Sequence, residues 1–320
     1  GKNPAPGAND SGSQTALVLE VAHMMAGHRF DATVVFASWS GEEQGLLGSE
    51  AFAKGNYRNY FPDGRLELNL TADIVGGDNT VNNAADLQRF RLYSPGTPRE
   101  VAAVDGRTDD TSPSRGIMRH IGYWTSKYVP GMTMLPRLRE DRVDRGSDHM
   151  SFLDQGVPAV RFIDVKENLK HQHSPDDLPR YVTPGYTARV AQVVAATAAS
   201  LARASTPPDS ISARRLSSDS VSLTWTRPAA GPPVDHYVVS ARTTGENLYR
   251  SRFVVPGSER STKVSVTRNL GVPRGSSFYV SVAAVDAEGH ESLYAYPEYR
   301  CGSSGCGVPS GSLDVTATTK

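Results

Sequence analysis

Apolar and polar positions change their spacing once along this chain, near residue 205. Before that point helical and strand-like patterns alternate. Residues 12–27 carry Ala16, Leu17, Leu19, Val21 and Met24 at helix-like spacing behind polar Asp10 and Ser11. Thr33 to Trp39 is a short β-rich run, Gln44 to Lys54 reads as a helix, and Leu66 to Val75 as a strand. A helix near Arg115–Tyr128, a strand at Ala159–Ile163 and a helix near Thr187–Ala204 complete the series. Strands alternating with helices predict an α/β layered domain, with a mostly parallel sheet, over residues 1–204.

Beyond the stiff Ser-Thr-Pro-Pro linker at 205–208 the helical period disappears. Val221, Leu223 and Trp225 alternate with polar residues, as do Val264 and Val266, then Phe278, Val280 and Val282. Turn residues separate these runs, which predicts an all-β sandwich over 209–299. Residues 300–320 are rich in Gly, Ser and Thr and show no face to bury, so a flexible tail is expected there. Cys301 and Cys306 are the two cysteines of the chain. They are too few for an all-cysteine metal site, and their close spacing suits a small local disulfide of an exported protein.

Charge narrows the partners. Lys+Arg and Asp+Glu both number 34, so the formal net charge is zero. Phosphate recognition needs a basic surplus, which argues against nucleic acid as partner. The longest apolar run, Val193 to Leu201, is about half the ~18–20 residues needed to cross a bilayer.

Four places put acidic residues or histidines where strands should end. Asp10 lies in a Gly-rich turn entering a helix, where an N-cap role competes with a ligand role. Glu42 and Glu43 follow the apolar run that ends at Trp39. Adjacent carboxylates project in different directions, so one can hold a metal while the other faces a bound water. Asp73 stands in an apolar strand, where a carboxylate is expensive unless paired or metal-bound. His173 lies in the loop His171-Gln172-His173-Ser174-Pro175-Asp176-Asp177. Ligands of open α/β sheets gather at the carboxyl ends of strands, so these groups can converge. Carboxylates with imidazole suit catalytic zinc, and a spare Glu beside a ligand supplies the general base that metal-bound water requires.

The motifs Asn9-Asp10-Ser11-Gly12, Gly41-Glu42-Glu43-Gln44-Gly45-Leu46-Leu47-Gly48-Ser49, Asp73-Ile74-Val75-Gly76, Ser147-Asp148-His149 and His173-Ser174-Pro175-Asp176-Asp177 occur in this order. Together they resemble the co-catalytic di-zinc aminopeptidases, whose family also holds glutamate carboxypeptidase-like proteins and glutaminyl cyclases. The resemblance implies a zinc exopeptidase, most simply an aminopeptidase acting on peptide or protein substrates. A carboxypeptidase or cyclase on the same scaffold, or a non-catalytic adhesion protein, are the rivals. It implies Asp10 as the carboxylate bridging two zinc ions, Glu43 and His173 as the other ligands of one, Asp73 as a ligand of the second, and Glu42 as the base. His149 is expected to be structural rather than a ligand. The family's second zinc also needs a His about a dozen residues before the bridging Asp. Only nine residues precede Asp10 and none is His, so that ligand, the opening elements and an export signal are expected upstream of Gly1. One zinc site is then complete in this chain, where two are expected of the full-length protein, which should be secreted or cell-surface. Gly146 and Gln172 occupy places where some relatives carry Arg and Tyr. The sandwich resembles a fibronectin type III domain, with Trp225 as its core tryptophan and a role either as spacer or surface-binding module or as packing support for the first domain.

Overall fold

The computed structural model describes residues 5–96, 111–141 and 145–309. They fall into two compact units, one of residues 5–96 and 120–202, the other of 111–119 and 203–309.

In the first unit a turn of helix at Ala8–Ser13 leads into α1 (Gln14–Met25). Ser13, Leu17, Val21 and Met25, four residues apart, form the buried stripe of this helix. Next come α2 (Leu47–Lys54), β1 (Asn69–Ala72), β2 (Arg89–Tyr93), α3 (Pro113–Tyr128, whose residues up to Arg119 belong to the second unit), β3 (Thr133–Arg137), α4 (His149–Leu153), β4 (Ala159–Ile163) and α5 (Pro184–Ala202), on which α1 packs. The sheet runs β1-β4-β2-β3, with β1 parallel to β4, β2 parallel to β3, and β2 antiparallel to β4. All five residues of β4 are buried, as a central strand covered on both faces requires. Phe162 of β4 stacks on Phe90 of β2, with ring centroids 5.5 Å apart.

Two expectations need correction. Thr33–Trp39 forms no strand, and Val35 and Phe36 remain 47% and 37% exposed. Its apolar pattern suits a strand, but a strand is a property of pairing, and no described segment supplies a ladder to it. The predicted strand at 66–75 shortens to β1, because the chain leaves the sheet at Asp73 and turns through Ile74 at φ 58°.

The second unit holds β5 (Ile211–Ser217), β6 (Ser220–Trp225), β7 (Val234–Thr243), β8 (Ser251–Pro256), β9 (Ser261–Ser265), β10 (Phe278–Asp286), β11 (Tyr299–Gly302) and β12 (Gly305–Gly307). They make a three-stranded sheet β5-β6-β9 and a five-stranded sheet β12-β11-β10-β7-β8. The alternating residues meet between them: Val221, Leu223 and Trp225 from one sheet, Tyr237, Val239, Val280 and Val282 from the other. Trp225 and Tyr237 lie 5.1 Å apart.

The flexible tail expected from residue 300 also fails for its first part. Phe278 pairs with Cys301 in the ladder that joins β11 to β10, Cys301 is fully buried, and Cys301 and Cys306 are disulfide-bonded. Periodicity misses this hairpin because Cys301 is the one buried position in a run of Gly and Ser, with no alternating partner; residues 310–320 lie outside the described residues.

Candidate metal centre

The turn after Trp39 is built from backbone bonds. Gly45 and Leu46 donate to the Glu42 carbonyl at 3.0 and 2.9 Å, Leu47 to Gly41, and Gly48 to Ser40. Gly48 is required, since a Cβ there would lie 2.7 Å from the Ser40 carbonyl oxygen. This turn holds Glu42 and Glu43 at the head of α2.

Asp10 is placed by partners distant in sequence. The backbone N–H groups of Asn9 and Asp10 donate to Oδ1 and Oδ2 of Asp177, at 2.8 and 2.9 Å. The Asn9 side chain accepts from Gly76 N–H at 2.8 Å and donates to Asp164 Oδ2 at 3.3 Å. Asp164, at the end of β4, also accepts from Gly77 N–H at 2.8 Å. A Cβ at Gly76 would meet Asn9 Oδ1 at 2.5 Å, so only glycine permits this close approach. Loops beginning at residues 7, 73 and 164 are thereby tied into one network.

The structure brings Asp10, Glu43 and His173 together. His173 Nε2 lies 2.8 Å from Glu43 Oε1 and 3.1 Å from Asp10 Oδ2, and one ligand atom from each residue falls within 4.8 Å of the others. His173, Leu46 and Ile74 are non-glycine residues at φ 57°, 61° and 58°. Side chains reach that region at a cost of order 1 kcal/mol, and such residues cluster at functional sites. Here each lies in or beside a segment carrying one of the acidic or imidazole groups.

Asp73 stands apart from this triad. Its carboxylate meets Arg161 Nη2 at 2.8 Å and Gln14 Nε2 at 3.3 Å. Arg161, wholly buried in β4, also donates to Asp141 at 2.6 Å and to the Gly146 carbonyl at 3.0 Å. Asp73 belongs to no group of three metal-binding side chains among the described residues.

The electrostatics are those of crowded, partly desolvated acids. Burial, then the charges of Asp73, Glu43, Asp148 and Asp10, pushes Glu42 up to about 8. Burial and the charge of Asp73 raise Asp10 to about 6, against the opposing hydrogen bond from Gln172. That bond, Gln172 Nε2 to Asp10 Oδ2, is 2.9 Å long. Burial also raises Asp148. Such a set fits a divalent cation: two carboxylates and an imidazole converge, and a positive ion relieves the repulsion that burial magnifies. His149 is fully buried in α4 and burial drives its imidazole down to about 3, so it is held neutral in the packing.

Asp177, Asp164, Asn9 and Arg161 carry no role in the sequence reading. Arg161 and Asp164 did leave a signal, a cation inside a five-residue apolar strand and an acid at its exit. Asp177 and Asn9 left none beyond adjacency to the motif residues.

The sequence pattern of peptidase family M28 matches residues 1–198, and that of the fibronectin type III domain matches residues 206–298. A probable zinc metalloprotease of Pyrenophora tritici-repentis is 34% identical over 258 residues, covering 76% of this chain and 58% of that protein. Another, from Pyricularia oryzae, is 36% identical over 291 residues, covering 83% and 56%. The chain thus spans a little over half the length of these curated relatives. Among solved structures, an aminopeptidase from Aneurinibacillus sp. strain AM-1 is similar with a TM-score of 0.45 and 25% identity, over 62% of this chain and 40% of that one.

Proposed function

Because this chain belongs to peptidase family M28, we propose that its first unit is a zinc-dependent exopeptidase that removes N-terminal residues from peptides. One observation carries the reading: Asp10, Glu43 and His173 converge from three separate loops, and Glu42 immediately precedes a member of that triad. Asp10, Glu43 and His173 would hold one zinc ion. When bound, zinc supplies an acidified water and polarises the scissile carbonyl.

The chain's own residues supply the rest. Glu42, whose carboxylate form a cation held beside it would favour, accepts a proton from the attacking water and returns it to the leaving nitrogen, as general base and then general acid. Gln172 donates to Asp10 Oδ2, while Asp177 accepts from the Asp10 backbone N–H. Charge favours the amino end of a substrate: Asp10, Glu42, Glu43, Asp73 and Asp148 act on one another, and the Arg161 guanidinium among them is engaged by Asp73 and Asp141. An acidic rim attracts an ammonium terminus and repels a carboxylate one. The Cys301–Cys306 disulfide supports an oxidising location, outside the cell or at its surface. There the sandwich would act as a spacer or surface-binding module.

The test is release of p-nitroaniline from aminoacyl-p-nitroanilides by the full chain, abolished by chelation and restored by zinc, with about one tight zinc per molecule. Cleavage of N-blocked peptides from their carboxyl end, with the anilides untouched, would overturn the assignment.

A further inference from the structure

The strongest unassigned feature near the triad is the buried carboxylate of Asp177. It lies four residues after His173, in the same loop, and is 4% exposed. Its two oxygens are spent on two consecutive backbone donors, Asn9 N–H at 2.8 Å and Asp10 N–H at 2.9 Å. Its own carbonyl accepts from Ala8 N–H at 3.1 Å. Three successive N–H groups of one loop are therefore received by a single residue of another. The next residue along, Asp176, is exposed.

This geometry has a direct consequence for the triad. Asp10 and His173 are 163 positions apart in sequence, and neither lies in a strand of the sheet. Asp177 links them through four residues on the His173 side and one backbone N–H on the Asp10 side. A carboxylate is the side chain suited to this link, because it accepts at both oxygens and donates at neither. An amide in its place would turn an NH₂ toward one of the two N–H donors.

We propose that Asp177 is a positioning residue that locks the Asp10 loop to the His173 loop and so sets the spacing of the metal-binding side chains. It holds no metal and touches no substrate. The proposal rests on the zinc reading above, and its test separates the two.

Zinc affinity of the full chain is measured by competition with a chromophoric chelator for the native protein, Asp177→Asn and Asp176→Asn, beside thermal unfolding in EDTA. Partners behind metal ligands typically change affinity by roughly 10–100-fold. Asp177→Asn is expected to weaken zinc by that factor and to alter the visible spectrum of the cobalt-substituted protein, while Asp176→Asn matches the native protein in both. Should Asp177→Asn fail to fold, Asp177→Glu, which keeps two acceptors on a longer arm, is expected to fold and to bind zinc more weakly than the native chain. Native zinc affinity and an unaltered cobalt spectrum in a folded Asp177 variant, with only a lowered melting temperature, would reduce Asp177 to a fold-stabilising role and overturn the proposal. Absence of tight zinc binding by the native chain would overturn the zinc reading itself.

Discussion

The two units bury acidic side chains in opposite ways. In the first, Asp10, Glu42, Asp148 and Asp164 are all raised, burial being the largest cause each time. In the second, the buried Asp286 and Glu298 are lowered, as are the more open Asp219 and Glu246. Glu298 is as deeply buried as Asp164, yet burial is outweighed there by Arg119 and Arg242. Arg242 Nη2 donates at 2.7 Å, Arg119 Nη1 lies at 3.2 Å, and Tyr249 donates its hydroxyl at 2.8 Å. Asp86 shows that the first unit can do the same, since Lys166 and Arg89 hold its carboxyl down. The difference therefore lies in what stands beside each acid. The second unit answers its buried acids with its own cationic groups, Arg119 of α3 among them, whereas the loops around Asp10 leave theirs for a cation to answer.

The sharpest way to break this contrast is at Glu42. Glu42→Gln should lower turnover by about 10²–10⁴-fold, the usual contribution of a general base, while the zinc content stays native. Steady-state rates with metal analysis check it, and unchanged turnover would remove Glu42 from the chemistry. Second in size is Glu298→Gln, which leaves two buried guanidinium groups short of their counter-charge. Breaking a buried pair in this way should destabilise the sandwich by about 3–5 kcal/mol, read from its unfolding transition. A loss below about 1 kcal/mol would mean that the sandwich does not depend on internal pairing.

The smallest effect is a slope. Burial raises Asp164 from its ordinary 3.8 to about 7, so between those values the folded chain keeps a proton that the unfolded chain has lost. Stability contributed through Asp164 therefore falls as pH rises from about 4 to 7, by up to about 1.4 kcal/mol per pH unit. Glu298 has the opposite sign: its contribution is present above its ordinary 4.5 and is lost as pH falls through its lowered folded value. Calorimetry of the full chain in EDTA should show the first unit's transition dropping between pH 5 and 7, and Asp164→Asn should make that drop shallower, the raised Asp10 and Glu42 supplying the remainder. An unflattened slope would place the proton on another group.

The loops that carry Asp10, Glu43 and His173 were legible because their residue types are expensive where they stand. A carboxylate at the end of an apolar run, a Glu pair before a Gly-flanked turn, and a histidine beside Ser-Pro are local signals, and Asp10, Glu43 and His173 do meet. Asp73 was legible as a buried acid, but its partner was not. Arg161 answers it from 88 positions away, and only the β1–β4 register, which sets Arg161 opposite Thr71, brings the two together. The Thr33–Trp39 run shows the converse failure, since its pattern predicts burial that no described neighbour provides.

The sequence by itself determined the change of period near residue 205, the alternation that fills the sandwich, the burial of Leu17 and Val21 in the first helix though not of Ala16 or Leu19, and the identity of the side chains at the triad. Each is a matter of local spacing or of residue chemistry. Tertiary structure alone decided that Asp177 grips the backbone before Asp10, that Arg161 takes Asp73, that residues 299–307 join β10, and which buried acids keep their protons. Those outcomes depend on hydrogen bonds and charges acting through space between segments far apart in the chain, and no local period records them.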